Sequence, residues 1–210
     1  MAPKNKFTKE QIVAAALNVV REGGISSLTA KTLAEKLGTS TRPIFTAFAT
    51  MDNLKNEMRS AAENTYKEYV AEGLKEKIPF LGLGMKHIHF AQNEPELYRF
   101  LFLTSSPEKN NCAFDAMQQA LEAARPSLMS IYRITAEEAD FYFRDMWLVV
   151  HSLSALMVSG GVDYSPKEIG EILSGFSLSI CKAIKEIPGF ASGDFDKDKL
   201  FKEIIGKDEK

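Results

Sequence analysis

Cysteine, histidine and tryptophan are scarce in this sequence, with two, three and one among 210 residues, and each scarcity removes a class of function. Cys112 and Cys181 stand alone with no CxxC or Cys/His spacing. A zinc site or a disulfide framework is therefore not expected, and both thiols are read as reduced in a cytoplasmic protein. Three histidines with no HExxH, no GxSxG and no glycine-rich phosphate loop leave little for base or metal catalysis. No enzyme, cofactor or metal is expected. Long apolar runs are missing too: the most apolar stretch, Met146 to Val158, spans thirteen residues against the ~20 that cross a bilayer, so it reads as a buried helix and no membrane partner is expected. Strand-like alternation and internal repeats are also absent, which leaves an all-α reading for a chain 45% apolar and 26% charged.

The most informative stretch that is present runs from Ser27 to Leu54, SLTAKTLAEKLGTSTRPIFTAFATMDNL. Thr29 can cap a helix that places Leu33, Ala34 and Leu37 on one face. Gly38 supplies the left-handed stop, and Thr39 and Ser40 are positioned to cap the next helix. With Ser40 as cap, Pro43 falls in the first turn, where a missing N–H costs nothing. Ile44 and Phe48 then point inward at i, i+4, leaving Ser40, Thr41, Arg42, Pro43 and Thr46 outward. Short polar groups and one Arg at the start of a second helix suit the major groove of DNA. Upstream, Thr8 to Gln11 has capping-box form ahead of Ile12, Ala15, Ala16, Val19 and Val20, and Gly23-Gly24 ends that helix.

Residues 8 to 54 resemble the DNA-binding domain of the TetR-type transcriptional regulators. The resemblance is carried by Ile12 with Ala16-Leu17, Gly23-Gly24, Leu28-Thr29, Leu33-Ala34, Leu37-Gly38, Ser40, Ile44-Phe45, Phe48 and Leu54. It implies a double-stranded DNA operator as partner. It departs at Phe45, Ala47 and Met51, where that family often places Tyr, Tyr or His, and Lys against the DNA backbone. Arg42 is the residue expected at a guanine or a phosphate, and Thr29, Lys31, Ser40 and Thr41 are expected to position the backbone. Residues 1 to 60 carry nine Lys or Arg against five acids, a balance of +4 in a chain of net charge −2. The basic end thus faces an anionic partner, and an arm from Lys4 to Lys9 is either a further phosphate contact or a solvated terminus.

The expected organisation is residues 1–51 as a helix-turn-helix DNA-binding domain and 52–206 as a helical effector-binding and dimerisation domain. A long helix is predicted from Asp52 toward Lys77, closed by Pro79. Shorter helices follow at about 80–92 and 96–103, a loop at Ser105 to Asn111, and a helix from Cys112, carrying Phe114 and Met117, that Pro126 ends or kinks. Capping boxes at Thr135–Glu138 and Ser165–Glu168 start two long helices. Leu153 and Leu156 on the first, with Ile169, Leu173, Phe176, Ser177, Ile180 and Ile184 on the second, are expected at a two-fold interface, the arrangement the resemblance also implies. Gly170, Ser174, Ser177 and Cys181 form a stripe of small residues read as a site of close helix approach.

His87, Phe90, Phe102, Met117, Phe143, Trp147 and His151 are candidates for a pocket taking an unknown small apolar or aromatic effector. Ordinary core packing accounts for the same aromatics, and Asp140 and Arg144 at i, i+4 are expected to pair. The functional expectation is a ligand-released repressor, binding a palindromic operator as a homodimer. The alternative is a helical carrier of a hydrophobic ligand with a non-functional head.

Overall fold

The computed structural model describes residues 7–104 and 112–205, with side chains described at 7–104 and 115–205. Lys4, Lys6, the Ser105 to Asn111 loop and the Phe114 side chain lie outside the described residues.

Four helices build the N-terminal head. α1, Lys9–Gly23, begins at a Thr8 capping box in which Thr8 Oγ accepts from the Gln11 N–H and the Gln11 side chain accepts from the Thr8 N–H. It stops at Gly24, whose φ of 72° a side chain would resist. α2, Ala30–Lys36, starts at Thr29 and ends in a Schellman turn: the Gly38 N–H donates to Glu35 O and the Thr39 N–H to Ala34 O. α3, Arg42–Ala47, follows. Its start differs from the sequence reading, since Thr41 rather than Ser40 precedes the first helical residue and no side chain caps it. The cause is Pro43, which lies three residues after Ser40 and has no N–H for that hydroxyl to capture. Ile12, Ala16, Val20, Leu33, Ile44, Phe48 and Leu54 close the core among these helices.

α4, Met51–Gly73, is capped by Thr50 and serves both halves of the chain: Leu54 and Met58 seal the head, and Tyr66 enters the core of the body. It ends four residues before Lys77, and Pro79 opens α5, Pro79–Asn93, instead of closing α4. Close backbone approach explains the early stop. A Cβ on Gly73 would meet the Gly82 carbonyl at 2.8 Å, and one on Gly82 would strike Gly73 O. α6, Pro95–Tyr98, runs into a π-helical turn at Arg99–Leu103. α7, Cys112–Tyr132, continues through Pro126. Capping boxes start α8, Ala136–Val158, and α9, Pro166–Glu186, with both reciprocal bonds formed in each. α10 is Lys197–Ile205. Among the described residues there is no strand, and no helix is long and apolar enough to cross a membrane.

Two side-chain clamps join head and body. Arg21 on α1 makes a bidentate pair with Glu94 at 2.8 and 3.0 Å. Arg59 on α4 donates to the carbonyls of Phe100 and Leu101 at 3.1 and 3.2 Å and lies over the Phe100 ring. Asp140 does not pair with Arg144. It holds Arg125 of α7 in a two-bond fork, and Arg144 turns to Asp145 and the Phe141 ring, because α7 brings a second guanidinium alongside.

Gly82→Ala is expected to destabilise the fold by about 1–3 kcal/mol through overpacking. Gly175→Ala, where an added Cβ meets nothing within 4 Å, is expected to be neutral or to stabilise by up to about 1 kcal/mol. Urea unfolding midpoints of the two variants check the contrast.

Candidate nucleic-acid interface and effector cavity

The outward flank of α2 and α3 carries the residues expected at DNA. Thr29, Lys31, Ser40, Thr41, Arg42, Phe45 and Thr46 are exposed and Pro43 is half-buried. Two of the hydroxyls are engaged within the chain. Thr29 Oγ accepts the Thr32 N–H at 3.1 Å as the α2 cap, and Thr46 Oγ donates to Arg42 O at 2.9 Å. Thr29 therefore offers mainly a fixed helix start, while Ser40, Thr41 and Arg42 present free polar groups. Arg42 makes no ion pair or hydrogen bond among the described residues, whereas Lys36 pairs with Glu22 and Lys55 with Asp52. Phe45 leaves 46% of its surface open on the same flank. An apolar ring so exposed within a short helix has no folding role there.

His87 and His151 are each engaged by a tyrosine within the body. His87 is buried, with Nδ1 2.9 Å from the Tyr66 hydroxyl and its ring enclosed by Tyr98, Phe102, Trp147 and His151 at centroid separations of 4.8–5.6 Å. His87 Nε2 finds no partner among the described residues. His151 Nδ1 lies 3.0 Å from the Tyr98 hydroxyl. Burial first, and the neighbouring His151 second, lower the His87 pKa to about 3; burial also lowers that of His151. Burial pushes the Tyr66 and Tyr98 hydroxyls above the usual phenol range. Phe90 packs on Tyr66 and Tyr69, and Phe102 on Tyr66, Tyr98 and His87. Met117 is half-buried against the main core.

Of the seven expected pocket residues, the structure brings only Phe143 and Trp147 to an open cavity, of about 530 Å³. It lies among α5, the end of α7, α8 and α9, and Phe80, Leu81, Met85, Tyr132, Tyr142, Met146 and Val150 also line it. The small residues Gly170, Ser174, Ser177 and Cys181 face this space rather than a neighbouring helix. Tyr132 and Tyr142 were missed because neither stands out from an ordinary core aromatic in the sequence. The one available signal was their polar tip on apolar stripes, which calls for a partner. A larger hollow at Asp196, Asp198, Lys199, Lys202 and Glu203 is an open polar dip on α10, lined by exposed side chains. Among the described residues, no three His, Cys, Asp or Glu side chains gather as metal ligands.

The residues expected at the two-fold interface divide. Leu156 and Phe176 are about half exposed, and Leu148 and Leu178 are exposed as well. Leu153, Ile169 and Leu173 instead bury themselves within their own chain in a cluster with Ile88 and Val150, and Ile184 joins the main core. Ser177 bonds to Tyr142 and Tyr132, and Ile180 packs against the main core. The α9 stripe was broad enough to serve two surfaces, and its inner edge packs on α5 and α8.

No protein-family model matches the sequence, and no curated protein matches it. Solved structures do. The chain is similar to a TetR variant from Acinetobacter baumannii AYE in complex with minocycline, at 17% identity over 96% of this chain and 100% of that one, with a TM-score of 0.52. It is also similar to a member of the TetR family from Streptomyces coelicolor A3, at 19% identity over 83% and 98% of the two chains, with a TM-score of 0.59. The fold is therefore of the TetR type, all-α with a helix-turn-helix head and a helical body.

Buried His87 sets a pH dependence. An unfolded chain protonates His87 below about 6.5 while the folded chain does not, so its contribution is whole above that pH and is lost as pH falls toward 3. Between pH 6.5 and 5, His87 alone is expected to lower unfolding free energy by up to about 1.4 kcal/mol per pH unit. Urea titrations should show this slope flattened in His87→Phe.

Proposed function

We propose that the chain is a sequence-specific DNA-binding transcriptional regulator that grips a palindromic operator as a homodimer and releases it when a small apolar or aromatic molecule occupies the cavity. Residues 1–51 read DNA in this proposal, and 52–206 sense and dimerise. The observation that carries it is Arg42 at the start of α3, without a partner among the described residues and on an exposed flank that none of them covers. The TetR-type fold and the +4 balance of residues 1 to 60 support it. The structural neighbour in complex with minocycline supports a small-molecule effector.

Dimerisation follows from the size of one reading head. A single short helix reaches few bases, and two heads related by a two-fold axis would place their α3 helices about 34–36 Å apart on successive major grooves. Exposed Leu148 and Leu156 on α8 and Phe176 on α9 are proposed as part of the surface that a second copy covers.

The lever is α4. Trp147 forms part of the cavity wall and packs on His87 at 4.8 Å, and His87 is hydrogen-bonded to Tyr66, four turns along the helix whose start seals the head. A ligand that shifts Trp147 is thereby coupled to α4, and about 1–3 kcal/mol of differential binding suffices to change operator occupancy. Repression, cytoplasmic residence and absence of catalysis belong to the same proposal.

Mobility shifts with the intergenic DNA beside its own gene, at several salt concentrations, test the reading. A regulator binds one site far above background, and Arg42→Ala is expected to weaken it by about 1–3 kcal/mol if the guanidinium grips a guanine. A phosphate contact would instead weaken all sequences alike and lower the salt slope by about 1. Weak, sequence-blind binding throughout would favour a hydrophobic-ligand carrier, a reading consistent with Phe45, Ala47 and Met51.

A further inference from the structure

The cavity has one polar end. Tyr142 Oη lies 2.7 Å from Ser177 Oγ, Tyr132 Oη lies 3.1 Å from the same oxygen, and the two phenols are 3.3 Å apart. Three hydroxyls from α7, α8 and α9 thus form a closed triangle at the wall of a space lined mostly by hydrocarbon and aromatic side chains, with Ser174 and Cys181 also on the lining. No Lys, Arg, His, Asp or Glu stands among the described residues that line it. Burial holds the Tyr142 hydroxyl far above the usual phenol range, so the triangle carries no charge.

The hydrogen count of this triangle defines what it can accept. Each hydroxyl has one hydrogen and two lone pairs. A cyclic arrangement uses all three hydrogens and one lone pair on each oxygen, leaving one lone pair on each. Tyr142 and Ser177 therefore retain acceptor capacity and lack a spare donor. A ligand that brings its own O–H satisfies them without breaking the ring. A ligand that offers only a carboxylate must leave water for a site with no cation, at a triangle with no hydrogen to spare.

We infer that the cavity takes an uncharged, mostly hydrocarbon molecule that donates one hydroxyl hydrogen, from a phenol or an alcohol, to the Tyr142 and Ser177 oxygens. This rests on the cavity being the effector site, and it narrows the effector from any apolar molecule to a hydroxylated one. A volume of about 530 Å³ accommodates an aromatic ring with an alkyl chain. Phe80, Phe143 and Trp147 supply ring faces for it, and exposed Leu81 and Leu178 mark the mouth.

The single tryptophan of the chain is in the cavity wall, so its emission reports occupancy directly. Three matched probes are titrated into the full-length protein at pH 7.5: 4-butylphenol, butylbenzene and 4-butylbenzoate. The phenol is expected to bind about 3- to 10-fold more tightly than butylbenzene, the effect of one net hydrogen bond, and the benzoate at least about 100-fold more weakly than the phenol. Ser177→Ala should erase the advantage of the phenol while leaving butylbenzene unchanged. Tyr142→Phe should do the same, and where it fails to fold the Ser177 variant decides. Equal binding of phenol and butylbenzene, an advantage that survives Ser177→Ala, or benzoate binding as tight as phenol each overturns the inference while leaving the cavity as the effector site. Absence of any response from Trp147 to all three overturns both, and operator binding by the same preparation then shows whether the regulator reading stands without this cavity.

Discussion

The hydrogen bond between Tyr66 and His87 is the interaction on which the rest of the molecule depends. It lies in a dry cluster of rings contributed by α4, α5, α6 with its π-helical turn, and α8. A polar pair in such surroundings is worth most when complete and costs most when broken, because neither group can turn to water instead. The cluster fixes where α4 leaves the body. The start of α4 in turn seals the core of the head, so the setting of α3 against the body is decided far from α3 itself. Neutral His87 serves this role better than a charged one, since protonation would place an unpaired cation among phenyl and indole rings.

The head reaches its form by simpler means. Gly38 at φ 62° and the Schellman bonds turn the chain after α2, and Pro43 makes α3 begin where it does. What remains outward is what folding does not need: Ser40, Thr41, Arg42 and the ring of Phe45. Residues that neither pack nor pair inside a rigid turn are the ones available to a second molecule. The body repeats the logic in reverse, since its cavity persists because α5, α8 and α9 meet through a patch of small residues and hydroxyls that cannot fill the space between them.

Much of the architecture was legible in local signals. Capping boxes at Thr8, Thr135 and Ser165 announced three helix starts within a residue, because they depend on neighbours only three positions apart. The ordering of apolar positions through Ser27 to Leu54 announced the head. Failures occurred where partners were distant in sequence. Pro79 reads as a helix end because nothing local reveals that Gly73 must lie against Gly82. Asp140 reads as the partner of Arg144 because Arg125 belongs to another helix. Leu153, Ile169 and Leu173 read as interface, since an apolar stripe does not say which neighbour it meets. His87 and His151 read as ligand groups in the sequence, yet each has a tyrosine, Tyr66 and Tyr98, and the polar end of the cavity is made by Tyr132, Tyr142 and Ser177, whose meeting requires three helices to be in place.

The central claim is that His87 joins the cavity wall to the lever helix, and a double-mutant cycle between two residues that both touch it tests this most directly. Unfolding free energies of Tyr66→Phe, Trp147→Phe and the double variant should deviate from additivity by about 0.5–3 kcal/mol if the two act through His87. Additivity within about 0.5 kcal/mol would mean that wall and lever are independent, and the account of how a cavity ligand reaches α3 would be contradicted.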